Sequence, residues 1–139
     1  MKGFHIHDGL GIKLLQKSGV IVAIISGKTS DAVVKRLNDL NIEHAYLGQE
    51  NKLLAYEDIK QKLQLNDSQI AYMGDDLPDL PLLRRVQLAI TVPKTPAVIR
   101  EHSHLITKNK AGKGAVREVC DMIMKAQDQY QSMIQSYFI

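Results

Sequence analysis

The feature that most constrains this chain is an alternation. Short apolar runs rich in β-branched residues are separated, along its whole length, by amphipathic segments with helical spacing. That pattern marks βα units, whose strands lie parallel in one sheet with helices on its faces. The strand candidates are Val20 to Ile25, His44 to Leu47, Gln69 to Met73, Leu88 to Val92 and His104 to Thr107. Helical spacing occupies Leu10 to Lys17, Asp31 to Leu40, Lys52 to Leu63, Asp79 to Arg85 and Pro96 to Glu101, with Ser30 as a start signal and Gly19 as a stop signal. The last segment, Gly114 to about Ser136, sets Val116, Val119, Cys120, Ile123 and Met124 on one stripe, which predicts one long helix with a fraying end. Its Tyr130, Met133, Tyr137 and Phe138 are either an association face or a loosely packed terminus. A Rossmann-like, doubly wound α/β layer is expected.

The 139 residues are 45% hydrophobic, enough for one core and one domain, and no repeat, linker or low-complexity segment interrupts them. The net charge of +3 is spread among interspersed acids and bases, so no basic face for nucleic acid is expected. Cys120 has no partner for an intrachain disulfide and sits in an apolar helical pattern, as a buried small hydrophobe in a reducing compartment would. The opening residues lack a signal-peptide pattern, and no apolar run approaches a membrane span. A cytoplasmic location is the expectation.

In an open parallel sheet, ligands bind beyond the carboxyl ends of the strands. Those positions carry Ser26-Gly27-Lys28, then Gly48-Gln49-Glu50-Asn51-Lys52, then Gly74-Asp75-Asp76-Leu77-Pro78-Asp79. Hydroxyl, ammonium and carboxylates thus converge on one edge. A hydroxyl, backbone amides and a lysine can hold phosphoryl oxygens, while a hard cation such as Mg²⁺ takes oxygen ligands. Each piece alone is more often a turn, a solvated lysine or a helix cap. Their joint order is what points to phosphate handling.

That order resembles motifs two, three and four of the haloacid dehalogenase superfamily. Phe4 to Lys13, Gln49 to Lys52, Tyr72 to Asp79 and Gly112 to Cys120 together resemble the 3-deoxy-D-manno-octulosonate 8-phosphate phosphatases, and the match runs to about Gln127. The resemblance implies a Mg²⁺-dependent phosphatase of a phosphorylated sugar acid, acting in lipopolysaccharide precursor synthesis and assembling as a homotetramer. It implies Ser26 and Lys52 as phosphoryl ligands, Asp75 as the Mg²⁺ ligand, and Asp76 and Asp79 as supports of that loop. It also implies substrate contacts at His5, Ile6, His7, Asp8, Gly9, Lys13, Gly27, Lys28 and Arg36. Lys28 and His7 stand where the family has arginine in many or some members, which weakens bidentate recognition of carboxylate or phosphate.

The superfamily's nucleophile is the first aspartate of an Asp-x-Asp pair on its first strand, and no such pair occurs in these residues. Aligning Asp8 with the acid and base of that pair puts Ile6 at the nucleophile, and an alkyl side chain cannot attack. The expectation is a single domain without its first strand and hairpin, through truncation or a fragmentary record rather than loss of catalysis. It should have open sheet edges, low stability unless it associates, and weak Mg²⁺ binding with one carboxylate ligand. Two other readings compete. One is a non-catalytic assembly module like that appended to sialic-acid-activating enzymes; the other is a receiver-like binding domain, which leaves the late Gly-Asp-Asp unexplained.

Overall fold

The computed structural model describes residues 6–139. Along them run α1 (Ile6–Lys17), β1 (Ala23–Ile25), α2 (Asp31–Asp39), β2 (His44–Tyr46), α3 (Lys52–Leu63) and β3 (Ala71–Met73). Next come α4 (Leu80–Leu83), β4 (Leu88–Thr91), α5 (Ala97–Glu101), β5 (Leu105–Ile106), α6 (Ala115–Ala126) and α7 (Tyr130–Ile134). Single 3₁₀ turns lie at Asp67–Gln69, Leu77–Asp79 and Gln135–Tyr137. All strand pairings are parallel. The expected alternation is present and in order.

The strands form two blocks. β1 pairs with β2, from Ala23 opposite His44 to Ile25 opposite Tyr46. β4 lies between β3 and β5, with Ile90 opposite both Met73 and Leu105. Among the described residues no ladder joins β1 to β3. Successive side chains on a strand point to opposite faces. Ile24 accordingly packs against a cluster that contains Ile12, Leu15, Leu37, Leu40, Cys120 and Met124 of α1, α2 and α6, or just beyond α2. Ile25 packs on the other face, against the cluster of Tyr56, Leu82, Leu83, Val86 and Ile99 that Tyr72 of β3 also joins. Helices thus cover both faces, as a doubly wound layer requires. Each aliphatic side chain fully buried this way contributes about 1.5–3 kcal/mol.

Helix ends follow from local chemistry. Ser30 caps α2 by accepting from the Val33 amide, and Asn51 caps α3 by accepting from the Leu53 amide. At the other end of α2, Asn41 turns left-handed with φ of 56°, its amide donating to Asn38 and that of Ile42 to Leu37. These paired bonds satisfy the last carbonyls of the helix. The same device corrects the expectation of one long C-terminal helix. Asp128 adopts φ of 57°, its amide donates to Lys125 and that of Gln129 to Met124, so α6 ends at Ala126 and α7 begins afresh at Tyr130. The polar run Gln127 to Gln129 offers the core nothing to hold it in a helix.

Candidate active site

The loops after β1, β2 and β3 all emerge at the carboxyl edge of the strands, and hydrogen bonds tie the first two together. The Ser26 amide donates to Tyr46, the last residue of β2, and the Gln49 amide donates back to Ser26. The Ser26 hydroxyl accepts from the Lys28 amide at 3.2 Å, a tight serine turn that leaves Gly27 and Lys28 exposed. α3 then opens at Lys52, whose half-buried side chain crosses to the loop after β3.

There Asp79 is the hub. Its side chain is 4% exposed and its carboxylate takes four donors. The Lys52 ammonium at 2.7 Å and the Tyr72 hydroxyl at 2.6 Å share Oδ1. The backbone amides of Asp75 at 2.8 Å and Asp76 at 3.2 Å share Oδ2. Burial alone would push the Asp79 pKa up, but the bonds from Lys52, Tyr72 and the Asp75 amide outweigh it and hold the carboxyl below its ordinary range. Burial, with the Asp79 charge beside it, drives the Tyr72 hydroxyl far above the usual phenol range, so Tyr72 stays a neutral donor. Gly74 makes the approach possible, since a Cβ there would stand 2.4 Å from the Asp79 Cβ. The Thr91 hydroxyl of β4 holds the Gly74 carbonyl at 2.7 Å from behind.

Of the expected site residues, the structure brings Lys52, Asp75, Asp76 and Asp79 into one cluster and places Ser26 on the same edge. Asp75 is half-buried, whereas Asp76 is exposed and its carboxylate caps the following turn by accepting from the Leu77 amide at 2.7 Å. His5 lies outside the described residues. At the start of α1, the Arg36 guanidinium lies against Gly9, where an added Cβ would stand 3.2 Å from the Arg36 Cζ. His7 and Lys13 are exposed on the same helix. His7 lines a cleft of about 510 Å³ shared with Asn109, Lys113, Arg117, Asp121 and Lys125. Asp8 is turned inward, 2% exposed, and accepts from the Arg117 amide in the first turn of α6 at 2.9 Å. It caps a neighbouring helix whose own cap, Gly114, has no side chain. Tyr72 is the residue that sequence reasoning passed over; a tyrosine in a strand reads as packing, and its bond to Asp79 arises only from the turn between them.

A hard cation calls for several oxygen ligands. Asp75 offers a carboxylate at the strand edge, but among the described residues no three acidic, imidazole or thiol groups converge as a cage. These residues fit such an ion at one vertex only. Cys120 is no candidate ligand, since burial pushes its thiol up to about 12. Among the described residues no helix is long and apolar enough to cross a membrane.

A family described as haloacid dehalogenase-like hydrolase matches residues 46–119. The chain is 42% identical over 131 residues to the 3-deoxy-D-manno-octulosonate 8-phosphate phosphatase KdsC of Yersinia pestis, covering 94% of this chain and 70% of the relative. It superimposes with a TM-score of 0.94 on the 3-deoxy-D-manno-octulosonate 8-phosphate phosphatase of Moraxella catarrhalis, solved with magnesium, phosphate and KDO. That match is 42% identical and covers 99% of this chain and 79% of the other. A probable YrbI family phosphatase from Pseudomonas syringae is 44% identical with a TM-score of 0.96, over 100% of this chain and 79% of that one.

Proposed function

Because the chain belongs to the 3-deoxy-D-manno-octulosonate 8-phosphate phosphatase family of haloacid dehalogenase-like hydrolases, we propose that it provides the binding half of a Mg²⁺-dependent phosphatase acting on 3-deoxy-D-manno-octulosonate 8-phosphate. One observation carries the reading: Asp79 fastens the Lys52 ammonium and the backbone of the Asp75 loop to a single carboxylate, at the strand edge where such ligands bind. A cation and a metal-binding carboxylate are thereby held together. In this site the Ser26 hydroxyl donates to one phosphoryl oxygen and Lys52 neutralises another. Asp75 would hold Mg²⁺, which when bound offsets charge on the transferring phosphoryl group. Asp76 and Asp79 keep that loop in shape. His5, Ile6, His7, Lys13, Gly27, Lys28 and Arg36 would meet the sugar acid, whereas Asp8 and Gly9, which the motif also suggested, are buried in α1, where Asp8 caps α6.

The attacking carboxylate comes from outside these residues, which contain no Asp-x-Asp pair. We place it on a strand seated between β1 and β3, whose facing edges have no ladder partner among the described residues. Its first aspartate attacks phosphorus as the bond to the sugar oxygen breaks, and the second gives that oxygen a proton. Water then hydrolyses the acyl phosphate, releasing phosphate and restoring the carboxylate. The edges left unpaired among the described residues and the exposed Tyr137, Phe138 and Ile139 support self-association, for which we propose a homotetramer, and the lone buried Cys120 supports a cytoplasmic setting.

The test is a phosphate-release assay on two proteins, the 139-residue chain and the same chain preceded by a first strand carrying Asp-x-Asp, each with and without chelator. The reading predicts negligible turnover from the first and chelator-sensitive release from the second. Robust release from the short chain would show that the nucleophile has been misassigned. A folded but inactive extended chain would favour an assembly module.

A further inference from the structure

We propose that Tyr72 is a positioning residue, which acts through the Asp79 carboxylate to set where the Lys52 ammonium stands; the proposal rests on the phosphoryl-site reading of Lys52. Tyr72 comes from β3 and Lys52 from the start of α3, yet both donate to the same oxygen, Asp79 Oδ1, at 2.6 and 2.7 Å. The other oxygen is fixed by two backbone amides. With two donors on each oxygen, the carboxylate has one orientation, and the ammonium takes the side of Oδ1 that the phenol leaves. An ammonium has three donors and spends one here. If the hydroxyl is removed, Lys52 becomes the sole side-chain donor to a buried anionic oxygen and is drawn onto it, away from the strand-end opening.

The molecule contains its own comparison. At the opposite end of β3, the Tyr56 hydroxyl and the Lys60 ammonium converge on Asp67 Oδ1 at 2.5 and 2.8 Å. The pair of donors is the same, but Asp67 precedes the strand with its side chain 43% exposed, whereas Asp79 follows it and is 4% exposed. Ligand crevices in parallel sheets form at the carboxyl ends. A role that is only structural predicts lost stability with Lys52 reactivity unchanged, the behaviour expected of Tyr56, whereas a positioning role moves Lys52 itself.

The experiment uses Tyr72→Phe, Tyr56→Phe and Lys52→Ala in the 139-residue chain. Inorganic phosphate is titrated in the presence of Mg²⁺ and followed by phosphorus NMR, and competitive acylation of the lysines is read by mass spectrometry. We expect Tyr72→Phe to weaken phosphate binding roughly tenfold and to slow acylation of Lys52 several-fold relative to Lys13 and Lys35. Tyr56→Phe should lower the melting temperature and change neither reading. Unchanged Lys52 acylation in Tyr72→Phe, or equal effects of the two tyrosine variants on Lys52, overturns the proposal whether or not phosphate binds. If the unmutated chain and Lys52→Ala bind phosphate equally poorly, the phosphoryl-site reading fails, while the acylation rates still decide whether Tyr72 governs Lys52.

Discussion

β4 and its counterpart β1 are both short parallel strands with helices packed on both faces, but they differ in company. β4 has a strand on each side, and Ala89, Ile90 and Thr91 are at most 1% exposed. Among the described residues β1 has a strand on one side only; Ala23 is exposed and Ile24 and Ile25 are half-buried. β3, across the opening from β1, shows the same partial burial as far as Met73. Parallel strands are ordinarily buried on both faces and paired on both edges. The difference therefore teaches that helices cover both faces of this doubly wound layer while, among the described residues, no ladder joins its two strand blocks beside the loops that carry Ser26 and Asp75.

The sharpest way to press that comparison is to fill the opening. A first strand joined ahead of the chain should raise phosphate release from background by orders of magnitude, and Lys52→Ala in that longer protein should remove roughly 100-fold or more of it. Asp79→Asn tests what ties β3 to α3. It leaves the Lys52 ammonium facing a neutral amide in a mostly buried setting, and unfolding by denaturant should show a loss of about 3 kcal/mol. This group also sets an acid limit. Because its folded pKa lies below the ordinary value of about 4, its contribution is full above that value and is lost as pH falls through the folded pKa. The unmutated chain should lose stability steeply below about pH 4, and Asp79→Asn should flatten that slope in acid melting curves.

Truncation on either side of the opening gives a direct contrast. Ile90→Ala in the closed block should cost about 3 kcal/mol, and Ile25→Ala on β1 clearly less in the same chemical denaturation series, because part of that side chain is already wet. Equal losses would mean that the two strands are equally enclosed. The smallest effect expected is at the edge of the first block, where Asp8→Ala removes the cap that α1 lends to α6 and should cost about 1 kcal/mol by thermal melting.

The order of elements was legible in the sequence because β-branched runs and helical stripes alternate without ambiguity, and Lys52–Leu63 has the same limits in both. Strand ends were less so. Val20 to Val22 is as apolar as any strand, but its partner β2 offers only His44 to Tyr46, and a ladder is no longer than its shorter strand. The break after Ala126 was hidden because Tyr130 and Met133 continue the helical stripe, and it depends on one left-handed residue, Asp128. At the site, strand-end logic was enough to gather Ser26, Lys52 and Asp75. It could not show that Asp8, in a motif that resembles a substrate loop, faces inward to cap α6, nor that Tyr72 reaches Asp79, since both depend on how elements distant in sequence pack.

Amide hydrogen exchange, resolved by residue, tests the open middle most directly. The Ser26 amide donates to β2 and the Gly74 amide to β4, so strand alternation turns the amides of Ala23 and Ile25, and of Ala71 and Met73, toward the opening. Those four should exchange orders of magnitude faster than Ile90 in the chain alone and become protected when a first strand is joined ahead of it. Protection of all four at the level of Ile90 in the chain alone would contradict the account.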